Sequence, residues 1–136
     1  MTAHEPKSGA VGSVLILEDE VLLSTLLEEL ARDLGAHRVH VCMDVATAER
    51  IAASEPLDVA IIDVNIGKET SLRVADILAE RGVPFCFSTA LGDGVAEQRH
   101  AHRPVLEKPF SDEAFKAQLM ALLGATEVRA DAPRHQ

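Results

Sequence analysis

Apolar positions along the chain fall into two alternating kinds of stretch. Short continuous runs occur at residues 13–17 (SVLIL), 39–42 (VHVC), 59–62 (VAII), 83–87 (VPFCF) and 105–106 (VL). Their length and lack of polar interruption read as buried strands. Longer stretches between them carry apolar residues at helical spacing. After the first run, Leu22, Leu23, Leu26, Leu27, Leu30 and Leu34 recur between charges, and Gly35 suits a C-terminal cap. Asp44 suits the N-cap of a helix carrying Val45, Ala48, Ile51 and Ala52, with Pro56 beyond its end. Ser71 opens a helix with Val74, Ile77 and Leu78 inward, and Gly82 closes it. Ser111 caps a last helix with Asp112 and Glu113 in its first turn, where the dipole favours acids, and with Phe115, Leu119 and Leu122 inward. Residues 64–70, with Asn65 and Gly67, read as a loop, and residues 94–100 as a short, weakly patterned helix.

The order is strand then helix, five times over. Continuously apolar strands between amphipathic helices imply an α/β fold, a doubly wound parallel sheet of five strands covered on both faces. Residues 13–124 form the domain, residues 1–12 a flexible leader and residues 125–136 a flexible tail. In such folds ligands bind beyond the carboxyl ends of the strands, at a topological switch point. The residues that follow each strand are therefore the ones to read for chemistry.

Composition narrows the field. The chain has 136 residues, 47% hydrophobic and 26% charged, with a formal charge of −9. These values describe one soluble globular domain. Its negative field excludes unspecific binding to nucleic acid or anionic lipid. No stretch resembles a signal peptide or approaches the ~18 apolar residues of a membrane span. Cys42 and Cys86 each lie in a predicted strand and read as reduced core thiols of a cytoplasmic protein.

The strand ends carry Glu18 and Asp19 (first strand), Asp63 (third), Thr89 (fourth) and Lys108 (fifth). Each has an ordinary reading when taken singly. Acids at residues 18–20 suit a helix N-terminus, Asp63 suits a loop cap, and Lys108-Pro109 suits a turn. Together they are more specific. Carboxylates converging on one edge repel one another unless a cation sits among them, and Mg²⁺ fits few carboxylates plus waters and phosphate oxygens. One hydroxyl and one ammonium complete a set suited to a phosphoryl group. His100 and His102 form an H-x-H pair without a third ligand nearby and read as part of a solvated loop.

Four pieces, LILEDE (15–20), VAIIDVNIG (59–67), FSTA (87–90) and EKPF (107–110), resemble the receiver domain of two-component response regulators. The resemblance spans about residues 13–123 and implies a CheY-like fold with strand order 2-1-3-4-5. It implies that Asp63 accepts a phosphoryl group from a phosphohistidine on a histidine kinase or phosphotransfer protein. It also implies that Asp19 ligates Mg²⁺ directly, that Glu18 assists and that Asn65 adds its backbone carbonyl. Thr89 resembles the switch hydroxyl, Lys108 its phosphoryl-binding partner, and the bond before Pro109 would be cis. Asn65 and Leu91 flank the site and would tune hydrolysis.

The stretches at 82–92 and 104–110 resemble the FATGUY subclass of stand-alone receivers, with Phe87-Ser88-Thr89-Ala90 in place of Phe-Ala-Thr-Gly. One departure is plain: receivers usually carry an aromatic three positions before the lysine, and here that residue is Val105. A labile segment over residues 90–104 is the substitute that the pattern offers for the readout.

The expected protein is thus a single-domain regulator, monomeric or weakly dimeric. It modifies only itself and signals by protein contact or as a phosphate sink. A receiver-like module that is never phosphorylated is the alternative. A haloacid-dehalogenase-type phosphatase would need a second aspartate where Asn65 stands. An FMN module would need a Ser/Thr/Gly-rich loop where Glu18 and Asp19 stand.

Overall fold

The computed structural model describes residues 11–90 and 100–131, with side chains as far as residue 124. The elements in order are β1 (Gly12–Leu17), α1 (Val21–Asp33), β2 (Ala36–Cys42), α2 (Val45–Ser54), β3 (Val59–Asp63), β4 (Asn65–Ile66), β5 (Glu69–Thr70), α3 (Leu72–Arg81), β6 (Phe85–Ala90), β7 (Val105–Lys108) and α4 (Asp112–Asp131). The five long strands form one sheet in the order β2-β1-β3-β6-β7, every pair parallel. This is the doubly wound arrangement that the alternating pattern predicts, with β3 at its centre between β1 and β6.

Each face of the sheet has its own core, because successive side chains on a strand point to opposite sides. Leu15, Leu17, Ala60, Ile62, Phe85 and Phe87 pack under α2 and α3. Val14, Ile16, Val59, Ile61 and Cys86 pack under α1 and α4. Both cysteines are free and buried, and burial pushes the Cys42 thiol up to about 11 and the Cys86 thiol up to about 12. The helix starts follow the local sequence. Asp44 accepts from the Thr47 N–H at 2.7 Å, and the Ser111 hydroxyl accepts from the Ala114 N–H at 3.0 Å. Gly82 ends α3 with φ +74°, a conformation that favours glycine.

The structure departs from the sequence pattern in several places. On α1, Leu27 and Leu30 are buried, but Leu22 is 86% exposed and Leu26 38%. Leu22 and Leu26 lie one turn apart in a single row, and the sheet covers only the neighbouring row of Leu23, Leu27 and Leu30. Residues 64–70 form a small antiparallel hairpin, Asn65 opposite Thr70 and Ile66 opposite Glu69, because Ile66 turns into the core. Val11 and Gly12, assigned to the leader, are already part of the buried fold, and the α4 backbone runs on through the first residues of the predicted tail. Residues 1–10 and 132–136, and most of the helix predicted at 94–100, lie outside the described residues.

His100 is the sharpest difference. It is 5% exposed rather than solvated, while its neighbours Ala101 and His102 are exposed. Its slot is made by two aromatic rings of β6, which no local pattern around residue 100 reveals.

Candidate functional site

The register of the sheet brings the strand-end residues together. Leu17 pairs with Ile62, so the residues that follow, Glu18 and Asp63, lie side by side where β1 and β3 end. Asp63 pairs with Ser88 on β6, and Thr89 and Ala90 pair with Glu107 and Lys108 on β7. Lys108 starts two strand spacings from Asp63, about 10 Å, and its side chain covers that distance. Its ammonium donates to Asp63 Oδ2 at 2.7 Å and lies 2.9 Å from Glu18 Oε1. The Asp63 contact is a directed hydrogen bond, and the Glu18 contact is the less well-directed ion pair. The Lys108–Pro109 peptide bond is cis.

Three carboxylates meet here. Ligand atoms of Glu18, Asp19 and Asp63 lie within 4.8 Å of one another, with Glu18 and Asp63 buried and Asp19 exposed. Burial raises the Glu18 carboxyl above its ordinary value, and the nearby Asp63 charge adds to this. Lys108 and the Glu20 N–H, which donates to Glu18 Oε2 at 3.0 Å, oppose it. Burial alone would lower Lys108, but hydrogen bonds and charge from Asp63 and Glu18 outweigh it and raise the ammonium above its ordinary value. One ammonium for three acids leaves net negative charge around an all-oxygen donor set. That composition fits a hard divalent cation such as Mg²⁺, bound through few carboxylates with other positions left for waters or phosphate oxygens.

Around this cluster, the Asn65 N–H donates to Asp63 Oδ1 at 3.3 Å, so both oxygens of Asp63 are engaged. Thr89 is 2% exposed, and its hydroxyl donates to the Ala90 carbonyl at 3.5 Å, a long contact at the limit of a hydrogen bond. The structure therefore gathers Glu18, Asp19, Asp63, Asn65 and Lys108, and sets Thr89 beside them with its hydroxyl turned to its own backbone. Leu91 lies outside the described residues. Val105, opposite Phe87 in the register, is 37% exposed.

Two concavities flank the sheet. One, lined by Leu22, Leu26, Phe110 and Lys108 among others, opens directly beside the acid cluster. The other lies at the opposite edge of the strands among Ser13, Asp58 and Arg81, and none of Glu18, Asp19 or Asp63 lines it. The exposed leucines of α1 that the pattern placed in the core are walls of the first.

No family model matches the chain. Among solved structures, the BeF3-activated conformation of SdrG from Pseudomonas melonis Fr1 is 39% identical, with TM-score 0.69, over 84% of this chain and 98% of that one. A response regulator receiver protein from Sinorhizobium medicae WSM419 has the same fold at 22% identity, with TM-score 0.72, over 88% of this chain and 99% of that one. A probable chemotaxis protein CheY from Rhizobium etli is 29% identical over 119 residues, 82% of this chain and 92% of that protein. Against the VirG regulatory proteins that it also matches, the chain spans about half their length, 47% and 45%.

Proposed function

This chain belongs to the CheY-like receiver domains of response regulators, and from that premise we propose that Asp63 is the residue on which it accepts a phosphoryl group. The observation that carries this reading is the placement of Asp63. It is a buried carboxylate at the end of a central strand, bonded to Lys108 and within reach of Glu18 and Asp19.

In the reaction, a carboxylate oxygen of Asp63 attacks the phosphorus of a phosphohistidine. The P–N bond breaks, the imidazole leaves with its electron pair and takes up a proton, and an acyl phosphate remains. Glu18, Asp19, Asp63 and the Asn65 backbone carbonyl would hold Mg²⁺, which supplies charge neutralisation at the phosphoryl oxygens. Lys108, freed from its carboxylates, pairs with a phosphoryl oxygen, and Thr89 turns its hydroxyl from Ala90 toward the new group. Water later attacks the phosphorus, the P–O bond to Asp63 breaks, and inorganic phosphate leaves with the carboxylate restored. Side chains at Asn65 and Leu91 set how easily that water enters. The protein is a signalling protein that modifies itself in the cytoplasm and turns over no separate substrate.

The donor is a histidine kinase or a histidine phosphotransfer protein. Its histidine must reach Asp63 across a rim on which Leu22 and Leu26 stand exposed beside Lys108 and Phe110. An apolar helix face on the donor fits that rim, and burying these leucines would supply the driving force for docking.

The test is incubation with Mg²⁺ and acetyl phosphate, followed by intact mass and base treatment. A single base-labile phosphoryl adduct is expected, absent from Asp63→Asn and absent when the metal is chelated. An adduct that persists in Asp63→Asn would place the acceptor on another residue, and none in the parent would leave the unphosphorylated interaction module; either result overturns the assignment.

A further inference from the structure

On one face of β6 the side chains of Phe85, Phe87 and Thr89 stand in a row, since alternate residues of a strand share a face. Phe85 and Phe87 meet edge to face, with ring centroids 5.5 Å apart. Val105, opposite Phe87 across the β6–β7 ladder, is small and partly exposed. The ring that packs on this row comes from elsewhere. His100 lies 5.9 Å from Phe85 and 6.2 Å from Phe87, edge-on to both. Its Nε2 is 2.8 Å from Asp76 Oδ1 on α3. A carboxylate only accepts, so Nε2 is the donor. The other ring nitrogen, Nδ1, is buried without a hydrogen-bond partner among the described residues.

That last fact bears on why an imidazole is there. A phenylalanine would fill the same aromatic slot without stranding a polar atom. The imidazole adds one thing, its bond to α3. The turn that carries it is tied to β6 as well: the Arg103 N–H donates to the His100 carbonyl at 3.0 Å, and the Phe87 N–H donates to the Pro104 carbonyl at 3.0 Å. The Arg103 guanidinium lies 4.3 Å over the Phe85 ring. A continuous set of contacts thus runs from Asp76 through His100 to Phe87, two residues short of Thr89.

We propose that His100, tethered by Asp76, is a positioning residue for Thr89: it holds β6 in the resting arrangement in which the Thr89 hydroxyl faces Ala90. It extends the reading of Asp63 as phosphoryl acceptor by naming what restrains the switch hydroxyl before the phosphoryl group arrives. Loss of the tether shifts the population toward the arrangement that phosphorylation selects.

The test compares the parent, His100→Phe, Asp76→Ala and the double variant. His100→Phe keeps the ring and removes the bond, so the fold is retained. The first readout is the Thr89 methyl NMR resonance without any phosphodonor. It is expected to move, in both single variants, part of the way toward its position in the beryllofluoride-loaded parent. The second is the rate of adduct formation from acetyl phosphate, expected to rise several-fold in both. Because both substitutions cut the His100–Asp76 bond, the double variant should fall short of the sum of the singles. Parent-like Thr89 resonances and rates in both singles, or effects that add in the double, would overturn the proposal even if stability falls. A parent that forms no adduct would instead sink the assignment of Asp63, and the Thr89 resonance would still decide the tether.

Discussion

Two clusters are held by different forces: one closes the carboxyl ends of the strands, and the other packs along β6 from its first residue. The acid cluster of Glu18, Asp19, Asp63 and Lys108 is electrostatic. Its charges do not cancel, and burial keeps Glu18 harder to ionise than an ordinary carboxylate. The ring cluster of Phe85, Phe87, His100 and Arg103 is packed, with the charge-assisted His100–Asp76 bond at its margin. The difference is one of purpose. On the reading of Asp63 as phosphoryl acceptor, the cluster that would receive a cation and a phosphoryl group is left unneutralised, whereas the one packed on β6 is filled. Thr89 sits between them, in line with the rings and beside the acids.

Substitutions separate the two. The largest loss of stability is expected from Phe85→Ala, about 4 kcal/mol, because a fully buried ring leaves a cavity in a packed core. Denaturant unfolding with and without Mg²⁺ should show this loss with the metal-linked gain intact; a vanished gain would mean that the clusters are one unit.

Lys108→Ala should cost somewhat less, about 3 kcal/mol in metal-free buffer, since it strands two buried carboxylates without their ammonium. Saturating Mg²⁺ should restore much of that, by mass action on the folded state. A loss unaffected by the metal would contradict the cation site.

Glu18→Gln should act in the opposite sense and stabilise the metal-free protein, on the order of 1 kcal/mol near neutral pH. The sign follows from linkage. Between the ordinary value of 4.5 and its raised folded value, Glu18 holds its proton in the native state but not in the unfolded chain. Its contribution is full below 4.5 and is lost as pH rises through the folded value. Lys108 runs the same way at alkaline pH: its contribution is full below 10.5 and lost as pH rises through its raised value. Thermal melts of parent and Glu18→Gln across acid pH should converge at low pH and separate as it rises. Parallel curves would remove Glu18 from the electrostatic cluster.

The smallest effect on stability is expected outside both clusters. Leu22→Glu, at a position 86% exposed, should change it by less than about 0.5 kcal/mol. It should leave phosphorylation by acetyl phosphate unchanged while slowing transfer from a phosphohistidine protein. Equal slowing with both donors would place Leu22 in the chemistry rather than in docking.

The acid cluster could be read from the chain because each of its members lies within two residues of the end of an apolar run, and parallel strands deliver their ends to one edge. The ring cluster could not. Phe85 and Phe87 were legible as core, but the partner on that row sits at residue 100, in a stretch with two exposed neighbours and no periodicity. The same holds for α1. Its leucines announce a helix but form two adjacent rows, and which row meets the sheet depends on the angle at which the helix lies. The Asn65 hairpin escaped for a related reason: two-residue strands carry too few positions to show alternation.

The sequence by itself determined the element order, the two-sided parallel sheet and the acids that close its central strands, because strand and helix periods and strand ends are properties of neighbouring residues. Only the tertiary structure decided that Lys108 reaches Asp63 across the intervening β6, that Leu22 and Leu26 face outward beside it, and that His100 is buried against β6 and bonded to Asp76. Those contacts join residues 24 to 45 positions apart or turn on which surface is left uncovered. Burial and pairing of that kind are set by what packs opposite, which no local window of the chain contains.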